Sequence, residues 1–196
     1  MTGLKFSRIS TTLPDAFIIV PRMFRDLRGF FLESYTRDDF REIGIPQEFV
    51  QDNHSCSQKG VLRGLHYQSC HPQGKLVRVV AGSILDVIVD IRKGSPTWEK
   101  WFTVTLSSDD SRLLWVPPGF IHGFLSLEDN THVLYKTTDY YHPECDAGIR
   151  WNDPELDIPW PLQDLGLESP LISPKDAALP FLSDLESPFL YTGDEE

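Results

Sequence analysis

Val61-Leu62-Arg63-Gly64-Leu65-His66-Tyr67, followed closely by Gln73-Gly74-Lys75-Leu76-Val77-Arg78, is the stretch that decides the architecture. Taken as extended chain, its side chains alternate between faces. Leu62, Gly64 and His66 share one, and Arg63, Leu65 and Tyr67 the other. An imidazole is thereby set on the inside of a sheet, beside a glycine with no side chain to block access. The next strand-like run can carry the Lys75 ammonium to the same mouth. A lone histidine on a strand is more often a hydrogen-bonded core residue than a catalytic one. The rest of the chain has to decide between the two.

Toward the C-terminus, strand signals crowd together. Ile84–Ile91 alternates, setting Leu85, Val87, Val89 and Ile91 against Ile84, Asp86, Ile88 and Asp90, so one face is packed and the other partly polar. Trp101–Leu106 and Leu113–Val116 follow, and Pro117-Pro118-Gly119 turns the chain into Phe120–Phe124, where Phe120, His122 and Phe124 share a face. Thr131–Thr138 groups Val133, Tyr135 and Thr137. Many short strands punctuated by Gly and Pro indicate an all-β sandwich or barrel.

Toward the N-terminus, Phe17–Val20 is a short apolar strand closed by Pro21. A turn at Gly29 leads into a strand on which Phe31 and Glu33 share a face. By themselves, Arg28 and Glu33 read as a solvated strand edge. Thr36-Arg-Asp-Asp39 resembles a capping box ahead of a helix with Phe40 and Ile43 as its apolar stripe, ended by Gly44 and Pro46. Gln51 and Asn53 lie on one face at strand spacing; such amides can read a base edge or sugar hydroxyls, or simply form a polar turn. After Tyr140-Tyr141 the chain is irregular and aromatic. Ser173-Pro174-Lys175-Asp176 reads as a helix start with Ser173 as N-cap, which makes Asp176 a capping carboxylate. The acidic tail, from about residue 183, is expected to be loosely held.

The 196 residues, 40% hydrophobic and 24% charged, suit one soluble domain with a sizeable core. No secretory signal and no run of transmembrane length are visible, so the cytoplasm is the default. A net charge of −11 argues against nucleic-acid binding. A small anionic ligand would instead need scarce cations gathered locally, from among Arg22, Arg25, Arg28, Arg63, Lys75, Arg78 and Lys175. Three cysteines, Cys56, Cys70 and Cys145, are too few and too scattered for a disulfide framework. A zinc site from His54, Cys56, Cys70 and His71 is disfavoured, because Cys70 and His71 are adjacent and point apart on a strand.

The motifs VLRGLHYQ, QGKLVR, WVPPGFIHGF, LYKTTDYY, IRWNDP and SPKDAALP occur in the order and spacing seen in the dTDP-4-dehydrorhamnose 3,5-epimerases, so the chain resembles that family from about Phe17 to Leu182. The resemblance implies a double-stranded β-helix (a cupin-type jelly roll) with a few short helices, a homodimer, no cofactor and no metal. It also implies a dTDP-4-keto-6-deoxyhexose substrate bound inside the barrel. On the matching positions, His66 corresponds to the general base, Asp176 to its dyad partner, Tyr135 to the proton donor, and Lys75 to the positive charge beside the keto oxygen. Arg28, Glu33, Gln51, Asn53, Arg63, His122 and Lys175 correspond to positions contacting the nucleotide sugar, and Phe31 and Tyr141 to its aromatic lining. The chain departs from the family's pattern at Val20, where Glu commonly precedes the proline, and at Asp146, a ligand-contacting position usually held by Glu.

The implied reaction is chemically coherent. Carbons 3 and 5 flank the C4 ketone, so loss of either proton gives an enolate whose charge a nearby ammonium can stabilise. Two other readings compete. A metal-dependent cupin such as an oxygenase would carry an H-x-H pair, whereas Tyr67 and Gln68 follow His66. A non-catalytic sugar-binding jelly roll would account for Arg63 and Gln51 but not for His66, Lys75, Tyr135 and Asp176 together.

Overall fold

The alternating segments all become strands. The computed structural model describes residues 5–193, with β1 Phe6–Ser10, β2 Phe17–Pro21, β3 Met23–Asp26, β4 Gly29–Leu32, β5 Gln51–Ser57, β6 Leu62–Gln68 and β7 Lys75–Ala81 in its first half. Its second half adds β8 Ser83–Asp90, β9 Trp101–Ser107, β10 Leu113–Val116, β11 Phe120–Ser126, β12 Thr131–Thr137 and β13 Asp146–Gly148. Two short helices, α1 (Arg37–Glu42) and α2 (Pro174–Ala177), complete the regular structure beside two 3₁₀ turns. None of the described helices is long and apolar enough to cross a membrane.

The strands form a six-stranded sheet, β1-β2-β10-β7-β12-β5, and a five-stranded sheet, β13-β6-β11-β8-β9, while β3 and β4 make a separate hairpin. Sequence neighbours such as β6 and β7 fall in different sheets, so the chain winds back and forth between two layers. This is the double-stranded β-helix of a jelly roll.

Three apolar clusters hold the layers. Between the sheets, Val77, Val79 and Val133 meet Ile84, Ile88, Phe120 and Phe124. Behind the five-stranded sheet, Val87, Val89 and Ile121 are covered by Ile149, Leu156, Ile158 and Leu182 of the irregular C-terminal segment. Behind the six-stranded sheet, Phe17, Ile19, Leu113 and Trp115 are covered by Phe40 and Ile45, from α1 and the turn after it. Burying a side chain such as Phe40 is worth about 1.5–3 kcal/mol, which is how a six-residue helix is held on a sheet. Strand β8 is consequently buried on both faces. The face read as partly polar carries Asp86 and Asp90, and both are fully buried. Asp90 is satisfied by Arg92 Nε at 2.9 Å and by the hydroxyls of Ser95 and Thr97.

Three local expectations are corrected. Thr36 is the N-cap of α1 but makes no side-chain capping bond. Its hydroxyl donates to Glu33 Oε2 at 3.1 Å. The tail is docked as far as Tyr191. Phe189 C=O accepts from Lys93 N–H at 3.0 Å, Tyr191 N–H donates to Lys93 C=O at 2.9 Å, and Ser187 Oγ donates to Ile91 C=O. Residues 194–196 lie outside the described ones. Finally, Cys70 and Cys145 form a disulfide across 75 residues of sequence, with their Cα atoms 5.3 Å apart. Their spacing hides this pairing, which depends on β13 running beside β6. Cys56 remains free.

Candidate active site

Strict alternation would send Arg63 and His66 to opposite faces of β6. They share one because the β6–β11 pairing slips: His122 opposes His66 while Phe124 opposes Arg63, so β6 fits three steps against two. This is a β-bulge, and it re-aims the side chains beyond it. Gly64, at φ +122°, sits at the slip. A Cβ there would lie 2.7 Å from the Cα of Gly123. The glycine is therefore required for the close approach of two backbones, not for leaving the way to His66 open.

A cavity of about 650 Å³ lies between the sheets. His66, Arg63 and His122 line it from the five-stranded sheet, and Gln51, Asn53, Lys75 and Tyr135 from the six-stranded one, with Tyr141, Asp146 and Asp176 closing it.

Helix α2 begins as expected, with Ser173 Oγ accepting the Asp176 N–H at 3.0 Å. The carboxylate of Asp176 is not used for capping. His66 Nε2–H donates to its Oδ1 at 2.8 Å, and Gly64 N–H donates to Oδ2 at 3.3 Å. Burial alone would push this carboxyl up. The bond and charge of His66, with the Gly64 amide and the Ser173 side chain, outweigh it and hold the group below the usual carboxylate range. An ionised carboxylate only accepts, so Nε2 carries the proton and Nδ1 of His66 is left with its lone pair. The division of labour is testable. Ser173→Ala, which deletes the cap, should cost about 1 kcal/mol of stability with activity retained. Asp176→Asn should leave the melting temperature nearly unchanged and lower turnover by roughly two or more orders of magnitude. Steady-state kinetics and thermal melts of the two variants check this.

Lys75, the first residue of β7, is buried. Burial lowers its ammonium to about 8, and the carboxylates of Asp146 and Asp86 offset only part of that. Burial likewise pushes the Tyr135 phenol up, so it is held protonated. His122 Nε2 lies 2.9 and 3.1 Å from the two oxygens of the buried Asp86. The imidazoles of His66 and His122 thus each turn to their own carboxylate rather than toward a common point.

The rim is tied together as well. Tyr141 OH donates to Asp146 Oδ2 at 2.7 Å, and Lys175 Nζ donates to the same carboxylate. Burial raises Asp146, but these two bonds prevail and keep it ionised. Asp146 therefore contacts the cavity while its charge is shared with Lys175. Gln51 Nε2 donates to Asn53 Oδ1 at 2.9 Å, and Gln51 Oε1 accepts the Tyr141 N–H at 3.0 Å. Arg63 Nε donates to Ser57 Oγ at 3.1 Å.

Three expected site residues stand apart from the cavity of their own chain. Arg28 lies on the β3–β4 hairpin, 90% exposed and paired with Asp26, and Phe31 is 65% exposed on the same hairpin. Glu33 is engaged by Lys5 at 2.9 Å. Conversely, sequence reading passed over Gln68 and Gln73, which line the cavity, and Asp86, which holds His122. Asp86 had left a signal: a carboxylate on the same strand face as Ile84 and Ile88 must be buried and so must have a partner.

Comparison with known proteins gives a consistent result. A family model described as dTDP-4-dehydrorhamnose 3,5-epimerase matches residues 10–184. The dTDP-4-dehydrorhamnose 3,5-epimerase of Pseudomonas aeruginosa is 52% identical over 174 residues, covering 88% of this chain and 93% of that protein. The protein of the same name from Neisseria gonorrhoeae is 53% identical over 170 residues, 87% of this chain, and the match spans 51% of that relative's length. Among solved structures, the Legionella pneumophila dTDP-6-deoxy-D-glucose-3,5-epimerase in complex with dTDP-4-keto-L-rhamnose superposes with a TM-score of 0.91 at 48% identity, covering 96% of this chain and 100% of that one.

Proposed function

Because the chain belongs to the dTDP-4-dehydrorhamnose 3,5-epimerase family, we infer that it isomerises dTDP-4-keto-6-deoxy-D-glucose to dTDP-4-keto-L-rhamnose by inverting C3 and C5. The observation that carries this reading is the His66–Asp176 pair opening on one cavity with Lys75 and Tyr135. Product NMR tests it: both carbons should appear inverted, and substrate recovered unchanged would overturn the assignment.

In this reading Nδ1 of His66 takes the proton from C3 or C5. The C–H electron pair moves into the ring as a C=C bond, and the carbonyl pair moves onto O4. Lys75 stabilises that oxyanion, a contribution of about 3–4 kcal/mol in comparable sites. Asp176 stabilises the imidazolium that forms. Tyr135 then donates its phenolic proton to the opposite face of the same carbon, the carbonyl re-forms, and the tyrosinate and imidazolium re-equilibrate with water. Each carbon passes through the cycle once.

A pH dependence follows from Lys75. The mechanism needs its ammonium charged, and its pKa is lowered to about 8. kcat/KM should therefore decline as pH rises through that value. Lys75→Arg keeps a charge at all working pH, so it should be slower but should lose that alkaline limb. A limb unchanged in Lys75→Arg would assign it to another group.

We propose further that the enzyme is a homodimer whose hairpins complete each other's sites. Leu27, fully exposed, shares the β3–β4 hairpin with the exposed Phe24, Phe30 and Phe31, an apolar surface that a single copy leaves uncovered. A partner's cavity would bring Arg28, Phe31 and Glu33 to the substrate. Arg28→Ala and His66→Ala chains, each impaired alone, should regain about a quarter of wild-type activity when mixed and reassociated. Sites complete within one chain would regain none. The cytoplasm is the compartment this reading assigns.

A further inference from the structure

One cluster of ligating side chains lies outside the machinery described above. His71, Asp139 and His142 each offer a ligand atom, and the three atoms lie within 4.8 Å of one another. The two imidazoles stack with centroids 4.0 Å apart and planes at 14°, and Asp139 Oδ2 is 3.4 Å from His71 Nδ1.

The cluster joins two loops, and their backbones are fixed independently of the ligating atoms. Gln68 Nε2 donates to the carbonyls of His71 at 2.7 Å and Tyr140 at 3.2 Å, while Gln68 Oε1 accepts the His142 N–H at 2.7 Å. Gln73 Nε2 donates to the Asp139 carbonyl at 2.9 Å. The Cys70–Cys145 disulfide closes the same pair of loops covalently. Most of the ordering that a bound ion would demand is thus already present. His142 Nδ1 lies 3.1 Å from Glu144 Oε1. A carboxylate accepting the Nδ1–H leaves the other ring nitrogen its lone pair, the arrangement that commonly backs a metal-bound imidazole.

We propose that His71, Asp139 and His142 form a binding site for a divalent cation of the zinc class. Two imidazoles and one carboxylate suit Zn²⁺ and its borderline neighbours, whereas Mg²⁺ and Ca²⁺ require oxygen ligands. Both rings are partly exposed, so they can turn from their stack to converge on one ion. None of the three residues lines the catalytic cavity. The ion therefore cross-links the rim and stabilises the fold, and it supplies nothing to the enolisation.

The test is calorimetric titration of tag-free, chelator-stripped protein with ZnCl₂, alongside thermal melts. One saturable site per chain is expected, with a melting temperature that climbs with zinc concentration. MgCl₂ should give neither effect. His71→Asn suits the positive φ of +53° at that position, and Asp139→Asn keeps an oxygen for the Tyr140 N–H. Each should weaken zinc at least tenfold while leaving the metal-free melting temperature unchanged. His132→Ala removes half of the other exposed histidine pair, His54 with His132 at 2.8 Å, and should leave affinity unchanged. No saturable binding up to about millimolar zinc would overturn the proposal. So would binding indifferent to His71→Asn and Asp139→Asn, or binding lost only in His132→Ala.

Discussion

His66→Ala is expected to lower exchange of the substrate's C3 and C5 hydrogens with deuterated solvent by roughly three to four orders of magnitude. Affinity for dTDP should stay within about twofold of wild type. Exchange needs only the base, and of the two imidazoles lining the cavity His66 is the more open, its side chain 32% exposed against 8% for His122. The other, His122, is held by both oxygens of the buried Asp86. On the proposed reading nucleotide binding draws on different groups of the cavity lining, with Arg63 as cation and Gln51 and Asn53 as amides. Exchange followed by NMR, with dTDP affinity by calorimetry, separates the two effects. Near-normal exchange would show that another group is the base, and a matching loss of dTDP affinity would make His66 a binding residue.

How much of this was legible in the sequence depends on whether the relevant contact is periodic. Strand positions were legible because period-two alternation is imposed by the pleat itself. Leu113–Val116 is β10 to the residue, and Thr131–Thr138 exceeds β12 by one. Alternation could not reveal the slip between β6 and β11, because one extra residue depends on what lies across the ladder. Hence Arg63 and His66, assigned to opposite faces, line one cavity. The capping box failed for a related reason. Its pattern is local, whereas the hydroxyl of Thr36 is oriented toward Glu33, outside the box.

In the site, what could be read from local spacing was the start of α2, and this reading hid the destination of Asp176. Local rules make that residue a cap, yet Ser173 does the capping and the carboxylate crosses to a histidine 110 residues away. The Cys70–Cys145 bond and the pairing of Asp86 with His122 are long-range in the same way. Family motifs brought together His66, Lys75, Tyr135 and Asp176, which no periodicity links. They did not reveal that Arg28 and Phe31 stand clear of their own chain's cavity, since a motif carries no information on which copy it serves.

Tyr135 is where the account is most exposed. It reaches the cavity from β12 in the six-stranded sheet, whereas His66 reaches it from β6 in the five-stranded one, so the two face the cavity from different layers. Burial keeps the phenol protonated, as a donor must be. Tyr135→Phe retains the ring and its packing against the inter-sheet core but deletes the acid. If His66 removes the proton and Tyr135 returns one on the opposite face, this variant should take up deuterium through His66, with retention of configuration, and form almost no inverted sugar. The most direct measurement is an NMR time course of Tyr135→Phe with dTDP-4-keto-6-deoxy-D-glucose in deuterium oxide, recording isotope content and stereochemistry at C3 and C5 together. Deuterium at those carbons in sugar of unchanged configuration is the expected result; inversion at the wild-type rate would contradict a donor role for Tyr135.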